Sequence, residues 1–101
     1  FPTRRSSDLD SFQKTIINEN ASIGAGAIIL GGIEIGANAM IAAGSLVTKN
    51  VPEKALVKGS PAIVSAWLND DGTKMEYKNG FFEDNKGNKW QLLNNELILK
   101  L

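Results

Sequence analysis

Divided into sixes, residues Ile17 to Pro52 read INENAS, IGAGAI, ILGGIE, IGANAM, IAAGSL, VTKNVP. The leading positions are Ile17, Ile23, Ile29, Ile35, Ile41 and Val47, all aliphatic. The fifth positions are Ala21, Ala27, Ile33, Ala39, Ser45 and Val51, mostly small. A fifth position lies two residues before the next leading one, and residues two apart in an extended chain point to the same side. Each boundary between sixes therefore sends one small and one large side chain inward together. The second positions, Asn18, Gly24, Leu30, Gly36, Ala42 and Thr48, also tend to be small and permit a bend after each short strand.

Three such strands close a triangular coil, and stacked coils pair through parallel ladders. The expected fold is all-β: a parallel β-helix of about two coils, with Ile23, Ile29, Ile35 and Ile41 lining its interior. An amphipathic helix is the competing reading, and it fails because its apolar residues recur at three and four. Each glycine between Gly24 and Gly44 would also cost a helix about 1 kcal/mol. Repeat folds bury a core by stacking, so about two coils on their own are marginally stable.

Outside the repeat, composition excludes more than it assigns. The chain is 101 residues long with balanced charge, 11 basic against 11 acidic side chains, which argues against a general nucleic-acid or membrane-surface binder. No apolar run is long enough to span a membrane, and the first residues carry no apolar stretch of a secretory leader. Without cysteine there is no disulfide framework and no thiolate metal site. The absence of histidine removes the commonest general base and the commonest metal ligand. No metal is expected.

Three segments are expected: residues 1–10, 11–66 and 67–101. Phe1 to Leu9, FPTRRSSDL, looks like the translation of a sequencing adapter, and both arginines of the chain, Arg4 and Arg5, lie in it. On that reading it is not native sequence, and the natural protein begins further upstream. Beyond Pro61 the sixes stop. Ile63 to Leu68 fits either a short helix or a strand capping the solenoid. Asn79-Gly80 and Asn94-Asn95 then separate alternating stretches, so a four-stranded antiparallel unit is expected from about Thr73 to Leu101.

The run Ile41-Ala-Ala-Gly-Ser-Leu-Val-Thr-Lys-Asn-Val-Pro52, followed by Val57-Lys-Gly-Ser-Pro-Ala62, resembles the ending of the hexapeptide-repeat acyltransferases. Thr15-Ile-Ile-Asn-Glu-Asn-Ala-Ser-Ile-Gly24 is similar to the branch acting on nucleotide-linked 3-amino sugars. That branch includes UDP-2-acetamido-3-amino-2,3-dideoxyglucuronate N-acetyltransferases and dTDP-3-amino-3,6-dideoxyhexose N-acetyltransferases.

The resemblance implies a left-handed coil, a cytoplasmic homotrimer, and acetyl-CoA lying along the solenoid between subunits. It also implies N-acetylation of an amino sugar in polysaccharide biosynthesis. O-acetylation of a sugar or serine is the alternative within the superfamily. A non-catalytic binding solenoid is the alternative outside it, but only Thr48 among the sixes could serve the threonine ranks of an ice-binding face. A solenoid metalloenzyme of the γ-carbonic anhydrase kind is disfavoured, because such enzymes coordinate zinc through histidines and this chain has none.

By motif position, Ala25 and Ala43 are expected to line the pantetheine arm, with Thr48 and Lys49 towards the far end of the cofactor. Lys49 would meet a phosphate, and Lys58 is a second cation. Plain corner packing is the competing account of the two alanines, and a solvated side chain that of the lysines. Members of the family often carry a basic residue where this chain has Ile63, and again at Ala66. That difference removes a charge-assisted bond worth roughly 1.5–3 kcal/mol unless Lys58 or a neighbouring subunit supplies it. No catalytic base is expected: Glu19 and Glu34 take outward positions, and the family's bases lie upstream, so this chain alone is expected to be inactive. Relatives of the tail carry zinc-binding cysteine pairs where this chain has the turns Asp70-Asp71-Gly72 and Asn85-Lys86-Gly87.

Overall fold

A computed structural model describes residues 14–100; the reading of residues 1–9 as adapter sequence falls outside them. The described chain is all-β. Six two-residue strands form the coils: β1 (Ile16–Ile17), β2 (Ser22–Ile23), β3 (Ile28–Ile29), β4 (Glu34–Ile35), β5 (Met40–Ile41) and β6 (Leu46–Val47). β1 pairs in parallel with β4, β2 with β5 and β3 with β6, which is the ladder pattern of a β-helix.

The register stacks the leading residues into columns. Ile17 lies on Ile35 and Ile35 on Val51; Ile23 lies on Ile41 and Ile41 on Val57; Ile29 lies on Val47. The fifth positions also turn inward: Ile33, Ala39, Ser45 and Val51 are buried. Corners close by tight backbone bonds, such as Ala27 N–H to Gly24 O at 3.3 Å and Ser45 N–H to Ala42 O at 3.3 Å. Left-handed residues recur down the corners, with Asn20, Asn38 and Lys54 in one column and Gly26 and Gly44 in another.

One expectation needs correction. Ile35 and Ile41 are enclosed, at 0% and 1% exposure, but Ile23 is 41% exposed, Ile17 is 52% exposed, and Ile29 is only partly covered. All point toward the axis. The first coil is covered on one side only, so among the described residues nothing shields its upper surface.

After β6 the chain makes a hairpin of β7 (Ala55–Gly59) and β8 (Ala62–Trp67). β7 continues the ladder beneath β5, and β8 turns back antiparallel with a bulge at Leu56/Val57. Ile63 to Leu68 is thus extended, because β7 offers an open edge for it. Ile63 is 69% exposed on the outside of this hairpin.

The tail is the expected four-stranded antiparallel sheet: β9 (Glu76–Lys78), β10 (Phe81–Glu83), β11 (Lys89–Leu93) and β12 (Glu96–Lys100), each next to its neighbour in sequence. Asn79 and Gly80 have φ of 51° and 83°, and Asn94 and Asn95 have 49° and 64°, the left-handed pairs a two-residue hairpin turn requires. Lys54 fastens the sheet to the coils. Its backbone carbonyl accepts from Leu68 N–H at 2.8 Å, and its ammonium reaches Asp70 at 2.6 Å and lies 5.5 Å from the Trp90 ring centre.

The tail also carries a repeat that pattern reading missed: Asn69–Glu83 recurs as Asp84–Ile98. In the first copy Asn69 N–H donates to Thr73 O and Gly72 N–H to Asn69 O; in the second, Asp84 N–H donates to Asn88 O and Gly87 N–H to Asp84 O. The turns Asp70-Asp71-Gly72 and Asn85-Lys86-Gly87 meet through hydrogen bonds. Asn69 Oδ1 accepts from Asn85 N–H at 3.0 Å, and Asp71 Oδ2 accepts from Asn85 Nδ2 at 3.1 Å.

Carboxylates hold the turns. Asp84 accepts from the backbone N–H of Lys86 and Asn88, from Asn88 Nδ2 and from Trp90 Nε1. Burial pushes its carboxyl upward, but these donors together, Trp90 foremost, hold it below the usual range. Lys54 lowers Asp70, and Thr73 lowers Asp71. A depressed folded pKa stabilises above the unfolded value and loses that contribution as pH falls through the folded one. The tail should therefore loosen on acidification below about pH 4. Trp90 fluorescence follows this directly, and Asp84→Ala should loosen the tail at neutral pH by roughly 1–2 kcal/mol.

Candidate functional site

The solenoid has three corner columns, and the sequence-predicted residues fall on two adjacent ones. Ala25 belongs to the turn between β2 and β3, and Ala43 to the turn between β5 and β6, one coil below. Gly44 N–H donates to Ala25 O at 2.9 Å, which ties the two turns together. Gly24 rests directly on the lower turn: a Cβ there would come within 2.4 Å of Ala43 N. Beneath them, Ala42 N–H donates to Val57 O at 3.0 Å, placing exposed Lys58 at the foot of the same column. Ala25, Ala43 and Lys58 therefore share one corner.

Thr48 and Lys49 lie at the next corner, beneath Leu30, whose N–H donates to Val47 O at 3.1 Å. The β3–β6 face separates the two corners and presents Ile28, 60% exposed, above Leu46. The arrangement is thus an apolar strip with small residues and Lys58 along one margin, Thr48 and Lys49 along the other. Thr48 and Lys49 also border a depression of about 500 Å³ lined by Pro61, Ala62, Ile63 and Leu92. Ile63, the departure from the family pattern noted above, makes the depression apolar on that side.

The third corner is acidic. Glu19, Glu34 and Glu53, with Glu96 from the tail, line a cleft of about 820 Å³ together with Asn18, Asn50, Asn94 and Asn95. Glu34 is held there: Asn18 Nδ2 donates to Glu34 Oε2 at 3.0 Å, and Glu34 N–H donates to Asn50 Oδ1 at 2.9 Å. Asn18 also donates to Ile35 O at 2.9 Å, bridging the first coil to the second. Glu19 and Glu34 face outward, as their hexad positions imply. Among the described residues no group of three or more carboxylates is placed to hold a metal ion, and no helix is long and apolar enough to cross a membrane.

Residues 14–49 match the family described as bacterial transferase hexapeptide (six repeats). The chain is 45% identical over 62 residues to a galactoside O-acetyltransferase of Lactococcus lactis, covering 61% of this chain and 30% of that protein. It is 40% identical over 68 residues to a dTDP-3-amino-3,6-dideoxy-alpha-D-galactopyranose 3-N-acetyltransferase of Aneurinibacillus thermoaerophilus, covering 67% and 35%. Among solved structures, a hexapeptide-repeat acetyltransferase of Vibrio cholerae complexed with acetyl coenzyme A superposes with a TM-score of 0.55. It is 35% identical, over 56% of this chain and 31% of that one. The chain spans about a third of the length of these curated relatives. The parallel coils, the stacked aliphatic columns and these likenesses agree: residues 14–49 match the bacterial transferase hexapeptide family, and the relatives named above are acetyltransferases.

Proposed function

We propose that the coils form one wall of an acetyl-CoA groove in an acyltransferase, which N-acetylates the amino group of a nucleotide-linked amino sugar. The observation that carries this is the corner where Gly24 presses on the Ala43 backbone. Small side chains there leave the backbone open to the pantetheine arm, with Lys49 and Lys58 at either margin to meet phosphate oxygens. The sugar amine attacks the thioester carbonyl, the N–C bond forms, the C–S bond breaks, and the thiolate leaves with a proton. Proton removal from the amine requires a base, and outward-facing Glu19 and Glu34 are poor candidates. A second wall and the base come from outside these coils, in a homotrimer where a neighbouring subunit faces the groove. Such an enzyme works in the cytoplasm, where nucleotide sugars are made.

The likeness to the galactoside enzyme, at 45% identity, favours sugar O-acetylation as the second reading. The test is release of free thiol from acetyl-CoA by a protein containing these coils within a complete solenoid. Release on adding an amino sugar, and none with its hydroxyl analogue, supports N-acetylation; the reverse supports the second reading. Lys49→Ala or Lys58→Ala should raise the KM for acetyl-CoA about tenfold, the loss of one charge-assisted bond, with kcat little changed. An unchanged KM in both variants would remove the lysines from the groove. The 101-residue chain alone should release no thiol above background.

A further inference from the structure

β12 is the outermost strand of the tail sheet. It pairs with β11 along one side, from Lys89↔Lys100 to Leu93↔Glu96, and among the described residues it has no strand along the other. Its sequence is Glu-Leu-Ile-Leu-Lys. We propose that this edge pairs antiparallel with β12 of a second copy of the chain, about a two-fold axis passing through Ile98.

Backbone geometry permits that register. The two-residue turn Asn94-Asn95 makes Leu93 and Glu96 a hydrogen-bonded pair, and such pairs alternate along an antiparallel ladder. Glu96, Ile98 and Lys100 therefore turn their backbone groups toward β11, while Leu97 and Leu99 turn theirs toward the open edge. In the two-fold register Leu97 falls opposite the partner's Leu99, forming about four backbone hydrogen bonds across the edge. Ile98 meets the partner's Ile98 at the closer, non-hydrogen-bonded spacing.

Charge selects the same register. Glu96 falls opposite the partner's Lys100 at both ends of the new ladder. Within its own sheet Lys100 faces Lys89 and Glu96 faces Leu93, so β11 offers neither end an opposite charge. Like charges directly opposite are destabilising, and opposite ones favourable. The repeat in the tail points the same way. β12 occupies in the second copy the place of β10 in the first, and β10 is paired on both sides. β12 also lacks the devices that blunt an edge: it has no proline, no bulge and no charge in its middle. Pairing would cover Ile98 and Leu99, now 46% and 41% exposed, and extend the row Tyr77–Phe82–Trp90–Leu99 by the partner's Leu97.

The chain has no cysteine, so one introduced thiol reports the register unambiguously. Ile98→Cys should oxidise to a covalent dimer, because paired positions of this type lie within disulfide reach. Leu93→Cys, on the same face of the sheet but off the axis, should not. By sedimentation at about 100 µM, suited to a small interface, the full chain should show twice the assembly mass of Ile98→Lys. Glu96→Lys and Lys100→Glu should each weaken the doubling roughly tenfold, and the double variant Glu96→Lys/Lys100→Glu should restore it. Restoration also shows that the charges, not misfolding, caused the loss. Equal masses for the wild type and Ile98→Lys, failure of the double variant to recover, or equal crosslinking of the two cysteine variants would each overturn the proposal.

Discussion

Replacing Ile41 by aspartate unfolds the coils, whereas the same replacement at Ile63 leaves them intact. Ile41 sits in the middle of the Ile23–Ile41–Val57 column and is 1% exposed. Truncation to alanine alone should cost about 2–5 kcal/mol, through lost burial and the cavity left behind. Aspartate adds an unpaired charge in an apolar interior with no cation in reach, which costs several kcal/mol more. Ordinary domains hold only about 5–15 kcal/mol of stability, so Ile41→Asp should not fold at all. Ile63 has the same side chain on the outside of the β7–β8 hairpin, and Ile63→Asp should change the unfolding free energy by less than about 0.5 kcal/mol. Circular dichroism with urea titration separates the two outcomes. Equal effects at both positions would mean that the columns do not carry the fold.

Gly36→Ala is also expected to be damaging, for a different reason. A Cβ on Gly36 would lie 2.5 Å from Glu53 N and 2.7 Å from Glu53 Cα. Those are backbone atoms of the layer below, so no side-chain rotation relieves the clash. The layers must part locally, which strains the Gly36 N–H to Val51 O bond at 2.8 Å. A loss of about 3 kcal/mol is expected, at the upper end of overpacking costs. Gly44→Ala makes an informative companion. A Cβ there meets nothing within 4 Å, but φ is +71°, so its cost is the conformational one of about 1–2 kcal/mol. The order Gly36→Ala worse than Gly44→Ala, measured by urea unfolding, tests whether layer spacing or corner conformation is the tighter constraint.

The solenoid was readable because its rule is written in every six residues: Ile35, Ile41 and Val47 are placed by side-chain period alone. What covers them is not written there. Ile17 and Ile23 obey the same period yet stay half open, since enclosure depends on a neighbouring layer rather than on spacing. In the candidate site, Ala25 and Ala43 could be paired from the sequence because corresponding positions recur coil after coil. Lys58 could not, since β7 no longer follows the sixes.

Lys54 was missed altogether. A lysine after Pro52-Glu53 reads as solvated, and its place in the left-handed column of Asn20 and Asn38 emerges only when the corners are stacked. Asp84 was missed for a similar reason: its four donors come from residues two to six positions ahead, in a turn whose conformation must be known first. The duplication in the tail escaped notice because its two copies share turn residues more than core residues.

The uneven cover over the columns also gives the coils a direction. Layers above and below hold Ile35 and Ile41, but among the described residues Ile17 and Ile23 are held from below only. In stacked repeats the stability of each layer is set by its nearest neighbours, so opening should begin at the thinly held end and advance inward. Deuterium uptake should follow chain order, with the amides of Asn18 and Gly24 exchanging well before those of Gly36 and Ala42. Among the described residues, the hairpin pinned by Lys54 is the fixed end of a zipper, and the first coil is where it starts to open.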